Sequence, residues 1–106
     1  MIPQLQAVEL AERLIQPNPP VVLDVREGWE YAVCTLSGST HIPLGQLVSR
    51  MKELDPDTEI VCLCHHGVRS LQAGIFLKQN GYSNVSNLAG GIDAWAREVA
   101  STMARY

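Results

Sequence analysis

The chain lacks the features that mark several classes of protein. It has 106 residues, and no stretch approaches the roughly 20 apolar residues that a membrane-spanning helix needs. Its net charge is −3, so we do not expect the extensive basic surface that neutralises the phosphates of a nucleic acid. These absences predict a protein whose partners include neither a membrane nor a nucleic acid.

Two further absences bear on the cellular compartment. The first residues, MIPQLQAVELAERL, contain no basic region followed by an apolar run, which a signal peptide would have. The chain has three cysteines, an odd number, and two of them are separated by a single residue. This pattern argues against a disulfide framework. We therefore expect reduced thiols and a cytoplasmic protein.

The patterns that are present predict one domain, residues 1–106, in which helices alternate with strands. Apolar residues are 46% of the chain, enough for a globular core at this length. The alternation predicts an α/β fold with a small, mostly parallel sheet of about five strands flanked by helices. We expect the tail after Val99, about 100–106, to be loose because it lacks a clear packing face. Short apolar runs predict strands within 21–25, 39–43, 59–64 and 84–88, and helical spacing predicts helices within 7–14, 27–34, 44–54, 70–80 and 92–99.

The stretch CLCHHGVRS, residues 62–70, runs from the end of one predicted strand to the start of a predicted helix. Ligands of open parallel sheets bind at the carboxyl ends of strands, so a site is expected here. Gly67 allows a sharp turn in which successive N–H groups can point at one anion. The positive end of the following helix favours the thiolate form of a cysteine placed there. The stretch therefore predicts Cys64 as a nucleophile, with Arg69 adding positive charge at the rim.

Two other interpretations of the stretch start from the same residues. Cys64 could be a buried strand cysteine without a chemical role. Cys62, Cys64, His65 and His66 could also be metal ligands, but structural zinc sites usually take ligands from two segments, spaced two to four residues apart. Strand alternation places Cys62 on the same side as Cys64 and deeper in the sheet, so we assign it to the core. We predict no metal site.

The order and spacing of these motifs resemble those of the rhodanese domain family over almost the whole chain. The family pattern is an apolar strand, Cys-x-x-Gly-x-Arg-Ser, a helix ending at Gly-aromatic, a Val strand and Leu-x-Gly-Gly-x-x-x-Trp. Upstream, the family carries Asp-Val-Arg followed by Glu, and then Ile-Pro-Leu. The matching residues here are Cys64, Gly67, Arg69, Ser70, Gly81, Tyr82, Val85, Leu88, Gly90, Gly91, Trp95, Asp24, Arg26, Glu30, Ile42, Pro43 and Leu44.

The resemblance implies a rhodanese-like three-layer fold and a thiosulfate sulfurtransferase. Cys64 would take sulfane sulfur from a donor such as thiosulfate, carry it as a covalent persulfide without a cofactor, and pass it to cyanide or a thiol. The active-site loop would comprise His65, His66, Gly67, Val68, Arg69 and Ser70. Asp24 and Arg26 would support the neighbouring strand end, while the two histidines would shape access. Arg69 would either orient the anionic donor or hold the shape of the loop by pairing with a carboxylate.

Two rival functions and one departure from the pattern accompany this resemblance. A cysteine phosphatase or arsenate reductase of the same fold would need Cys-x5-Arg, whereas Cys64 to Arg69 is one residue shorter. A binding module that receives sulfur only from a docked relay protein is the other rival. Family members usually carry Gly-His-Ile-Pro-Gly-Ala before the Ile-Pro segment. Here residues 34–39 read CTLSGS, keeping only Gly38, which is expected to alter a surface near the site.

Overall fold

The computed structural model describes residues 2–106 as a five-stranded sheet with helices on both faces. All the paired strands run parallel, in the order β1-β5-β4-β2-β3. The strands are β1 (Gln4–Leu5), β2 (Val21–Asp24), β3 (Thr40–His41), β4 (Ile60–Leu63) and β5 (Val85–Leu88). The helices are α1 (Ala7–Leu14), α2 (Gly28–Val33), α3 (Leu47–Arg50), α4 (Val68–Gln79) and α5 (Gly91–Glu98). The predicted α/β class and parallel sheet are confirmed.

The core consists of two clusters, one on each face of the sheet. Because side chains alternate along a strand, Cys62 lies in the cluster beneath α4, while Val61 and Leu63 lie in the cluster beneath α1 and α5. The buried face of α4 includes Gly74, where a Cβ would stand 3.3 Å from the side chain of Val85. The small residues of this helix thus allow the close packing on the sheet that their spacing predicts.

Three local details differ from the sequence-based expectation. The two-residue strand β1 was not expected, because so short a run has no periodicity. The Pro3 carbonyl just before it accepts from the Asn87 N–H of β5, and the Leu5 carbonyl accepts from the Ala89 N–H. The predicted helix 44–54 is a short α-helix between two 3₁₀ turns, Leu44–Gln46 and Met51–Glu53. Helix α4 begins at Val68, two residues earlier than predicted.

The segment 100–106, expected to be loose, packs against the domain instead. Ala100, Met103 and Tyr106 contact the core cluster beneath α5, and Arg105 pairs with Asp93 at 2.9 Å. The packing was not predicted because this segment has no periodic apolar face of its own. Its anchors are individual side chains, which a periodicity argument cannot find.

The strand order determines where a site can form. Strand β4 lies between β2 and β5, so the residues that follow these three strands meet at one edge of the sheet. The residues that meet there are Cys64 after β4, Val25 and Arg26 after β2, and Ala89 and Gly90 after β5. Among residues 2–106, no helix combines the length and apolarity that crossing a bilayer demands.

Candidate active site

The Cys64 thiol lies directly after β4, and two donors of the segment that follows lie within hydrogen-bond distance of its sulfur. The Gly67 N–H donates to Cys64 Sγ at 3.0 Å, and the Ser70 hydroxyl lies 3.2 Å from the same sulfur. Cys64 is only 1% exposed. The sulfur is therefore held by hydrogen-bond donors in a site that is largely shielded from water.

Gly67 makes this turn possible and starts helix α4. Its φ of 103° lies in the left-handed region, which glycine adopts without the strain of a side chain. A Cβ at Gly67 would also approach the Gly90 nitrogen and the Leu88 carbonyl oxygen at 3.3 Å. The N–H groups of the first helical turn have no acceptor within a helix, so they are available to an anion at the sulfur.

Asn87 of β5 holds the loop from below. Its side-chain N–H₂ group donates to the Gly67 carbonyl at 3.0 Å, and its Oδ1 accepts the Ser70 hydroxyl at 2.5 Å. The Ser70 hydroxyl has one proton, so it can donate to Asn87 or to the sulfur of Cys64, but not to both at once. Asn87 thus fixes Ser70 beside the thiol and competes with the thiol for its proton.

The start of helix α5 fixes the first residues of the loop. The Ile92 N–H donates to the Cys64 carbonyl at 2.8 Å, and the Asp93 N–H donates to the His65 carbonyl at 3.1 Å. A Cβ at Gly91 would collide with both of these carbonyl groups, and Gly91 has a φ of 62°. This close approach gives the Gly-Gly pair at residues 90–91 a definite structural purpose.

Arg69, the last loop residue, is paired with Glu30 of α2. Its two terminal nitrogens donate to the two carboxylate oxygens at 2.6 and 2.8 Å, and Glu30 is buried. The hydrogen bonds from Arg69 are the main reason that the pKa of Glu30 is lowered to about 2. Both terminal nitrogens of Arg69 are thus engaged, and its charge is balanced by a carboxylate.

Asp24 and Arg26 form a second, fully buried ion pair at the end of β2. Arg26 Nη2 lies 2.7 Å from Asp24 Oδ2 and also donates to the Cys34 carbonyl at 2.7 Å. Arg26 Nη1 donates to the Glu30 carbonyl at 3.2 Å. The structure therefore places the pair as a brace between β2, α2 and the departing segment 34–39. The side chains of the pair contact this scaffold and the hydroxyl of Tyr106.

The two loop histidines lie on the outer side of the site. The His65 ring stacks between those of His66 and Tyr106, with both centroids at 3.9 Å. Burial, and to a lesser extent the neighbouring His66, lower the pKa of His65, which favours its neutral form. His66 Nε2 lies 4.0 Å from Asp93 Oδ2, while Val68 is exposed to solvent. These side chains form a rim around the loop.

Comparisons with known proteins agree with this arrangement. The family model of the rhodanese-like domain matches residues 6–98. This chain belongs to the rhodanese-like domain family. A sulfurtransferase of Allochromatium vinosum is 35% identical over 97 residues, which cover 92% of this chain and 91% of that protein. The thiosulfate sulfurtransferase GlpE of Pseudomonas paraeruginosa is 35% identical over 83 residues, covering 78% and 76%.

A solved structure extends the comparison to three dimensions. The rhodanese-related protein of Thermoplasma volcanium superposes with a TM-score of 0.84 at 34% identity, covering 92% of this chain and 93% of that one. The resemblance inferred from the motifs is thus confirmed, and so is the rhodanese-like fold. Membership of the family and the named relatives support sulfur transfer as the general activity.

The other two cysteines of this rhodanese-like domain occupy different environments. Cys62 is fully buried on the same side of the sheet as Cys64, as strand alternation predicted. Burial is the main cause that raises the pKa of its thiol to about 12, so it stays protonated at neutral pH. Cys34 is half-buried, and no disulfide joins any of the three. Placement and protonation both separate Cys62 from the site.

The ligand set considered from the sequence is not the one that the fold brings together. His65 and His66 lie with Asp93, not with the two cysteines, and their ligand atoms are within 4.8 Å of one another. The Asp93 carboxylate also accepts hydrogen bonds from Arg97 and Arg105, which offset its charge. The cluster is therefore built as part of an ion-pair network on the outer rim.

Three residues of the site were not among the candidates that the sequence supplied. Asn87 supports Gly67 and Ser70, Glu30 pairs with Arg69, and Tyr106 stacks on His65. The only local signal was a polar residue within the apolar run NVSNL and the family match at Glu30. Nothing in the sequence near Tyr106 indicates its contact, which spans 41 positions of the chain.

Proposed function

We propose that this domain is a thiosulfate sulfurtransferase that carries sulfane sulfur as a persulfide on Cys64. The observation that carries the proposal is the pair of donors on the Cys64 sulfur at the start of helix α4. Such donors stabilise a thiolate, which is the nucleophilic form of cysteine. The thiosulfate sulfurtransferase among its relatives supports the choice of donor.

The reaction proceeds in two displacements at sulfur. The Cys64 thiolate attacks the outer sulfur of thiosulfate, and the S–S bond of the donor breaks with its electron pair leaving on sulfite. The new bond makes a cysteine persulfide whose terminal sulfur is negative. Cyanide or a thiolate then attacks that terminal sulfur, and the pair of the broken S–S bond returns to Cys64. No net oxidation occurs, and each half-reaction releases one product before the next begins.

The loop supplies what a negative sulfur at this position needs. The unpaired N–H groups of the first turn of α4 and the positive end of its dipole face an anion at the loop centre. Ser70 can turn its proton from Asn87 towards the sulfur when the sulfur is charged. Charge-assisted hydrogen bonds of this kind are roughly twice as strong as neutral ones.

The pairing of Arg69 favours sulfur over a phosphoryl group. Cysteine phosphatases of this fold carry a Cys-x5-Arg loop. A phosphoryl group presents three equatorial oxygens to the donors around it. Here the loop is one residue shorter, and both terminal nitrogens of Arg69 are taken by Glu30. Arg69 then stabilises the shape of the loop, and neither of its terminal nitrogens is left to bind phosphoryl oxygens in the paired geometry.

The test is to expose the protein to thiosulfate alone and measure its intact mass, then to assay thiocyanate formation with cyanide. We expect a gain of one sulfur and multiple turnovers for the parent, with neither in Cys64→Ala. Aryl phosphate hydrolysis is the control for phosphatase chemistry. Absence of both sulfur loading and thiocyanate formation in the folded parent would contradict thiosulfate as donor, and would favour a domain loaded by a relay protein.

A further inference from the structure

Tyr106 contacts the first part of the loop that runs from Cys64 to Arg69 directly, and it reaches the last residue of the loop through Glu30. Its ring stacks on His65, the residue after Cys64, with centroids 3.9 Å apart and planes at 17°. Its hydroxyl donates at 2.8 Å to Glu30 Oε2, an oxygen that also accepts from Arg69. Tyr106 lies outside residues 6–98, the part that the family model matches.

The direction of the Tyr106 hydrogen bonds is determined by its neighbours. Arg26 Nη1 donates to the Tyr106 oxygen at 3.0 Å, which leaves the hydroxyl proton for the Glu30 carboxylate. Arg26 is itself held by the buried Asp24 carboxylate. Burial chiefly raises the pKa of Tyr106 to about 12, so the hydroxyl is protonated at neutral pH and can donate. Glu30 Oε2 thus has a second fixed donor beside Arg69.

The segment that carries Tyr106 is anchored independently of this contact. Met103 packs against the core cluster beneath α5, and Arg105 pairs with Asp93, whose own N–H holds the His65 carbonyl. The Tyr106 ring also meets Trp29 edge to face at 5.6 Å. A side chain held on several sides can constrain its neighbours, because it has little freedom left to follow their motion.

We propose that Tyr106 is a positioning residue for the active-site loop. Its hydroxyl fixes Glu30 and through it Arg69, while its ring fixes His65, so that the N–H groups between these two residues converge on an anion at Cys64. That this anion is a sulfur donor or a persulfide rests on the proposed function. The positioning of the loop does not, since any anionic reagent at Cys64 would depend on it.

The test compares Tyr106→Phe with the matched variant Tyr31→Phe. The Tyr31 hydroxyl bonds Ser39, and its ring stacks on His41 at 4.2 Å, so this control also loses one hydroxyl from a stacked tyrosine. We expect the rate of sulfur loading from thiosulfate to fall about two- to tenfold in Tyr106→Phe, the effect of one net hydrogen bond. Tyr31→Phe should load at the parent rate, and Tyr106→Ala should fall further because it also loses the stack on His65.

A second readout separates this proposal from the proposed function. Cys64 is alkylated by the anion iodoacetate and by neutral iodoacetamide, and both reactions are followed by peptide mass. The rate with iodoacetate divided by the rate with iodoacetamide is then compared between the variant and the parent. The ratio should fall about two- to tenfold in Tyr106→Phe, because only the anion uses the converging N–H groups. If the parent takes no sulfur from thiosulfate but the ratio is reduced in Tyr106→Phe, thiosulfate is not the donor, while the positioning role of Tyr106 is supported. An unchanged ratio in Tyr106→Phe would overturn the positioning by the hydroxyl.

Discussion

Cys62 and Cys64 stand two positions apart on the same side of one sheet, yet the structure gives them different surroundings. Both are almost fully buried. Cys62 lies within β4 among apolar side chains, and burial raises the pKa of its thiol to about 12. Cys64 lies just past the end of the strand and meets Gly67 N–H and the Ser70 hydroxyl. The comparison shows that two equally buried thiols can differ in whether hydrogen-bond donors surround the sulfur.

The largest expected effect comes from replacing each of the two cysteines by serine separately. Cys64→Ser should abolish both sulfur loading and thiocyanate formation, because the hydroxyl cannot replace the thiolate as nucleophile. Cys62→Ser should retain loading while losing about 1–3 kcal/mol of stability through its buried hydroxyl. Intact mass after thiosulfate and denaturant unfolding measure the two effects. Sulfur transfer that survives in Cys64→Ser but fails in Cys62→Ser or Cys34→Ser would reverse the assignment.

A smaller effect is expected when one donor is removed from the reactive thiol. Ser70→Ala should slow sulfur loading about tenfold, which corresponds to one hydrogen bond to a charged sulfur. Ser86→Ala is the matched control, because the Ser86 hydroxyl is buried without a hydrogen-bond partner among the described residues. That variant should load at the parent rate and be no less stable. Equal rates of sulfur loading in Ser70→Ala and the parent would show that the Ser70 hydroxyl does not stabilise the charged sulfur of Cys64.

The smallest effect concerns the silent thiol and depends on pH. The pKa of Cys62 is raised from 9.0 to about 12 in the folded protein, so its stabilising contribution is complete below pH 9 and is lost as the pH rises towards 12. Between pH 8 and 10, the free energy of unfolding should therefore fall about 1 kcal/mol more in the parent than in Cys62→Ala. Denaturant titrations under reducing conditions measure this difference. Parallel curves would show that Cys62 ionises as readily in the folded protein as in the unfolded one.

Parts of the fold and site with a local signal were predictable from the sequence. The apolar run EIVCLC predicted a buried strand, and its alternation predicted Cys62 on the same side as Cys64. Gly67 between a strand and a helix predicted the turn that the structure shows. The two-residue strand β1 was missed, because its pairing with β5 is a contact between segments more than 80 positions apart and leaves no local pattern.

The supporting residues of the site could not be predicted in the same way. Arg69 was expected either to present its positive charge at the rim or to pair with a carboxylate, but the sequence did not show that the carboxylate would be Glu30, which lies 39 positions away. The packing of Tyr106 contradicted the expectation of a loose tail. Each of these contacts joins side chains far apart in sequence, and no local periodicity or motif encodes which pairs will meet.

The sequence by itself determined the parallel α/β plan and the place of the reactive loop, because hydrophobic periodicity and the glycine turn act within a few residues. Only the tertiary structure decided which groups surround the sulfur. It brought Asn87 under the loop, engaged Arg69 with Glu30, and placed Tyr106 on His65. The physical reason is that hydrogen bonds and ion pairs depend on distances of a few ångströms, which arise only when the strands and helices have packed together.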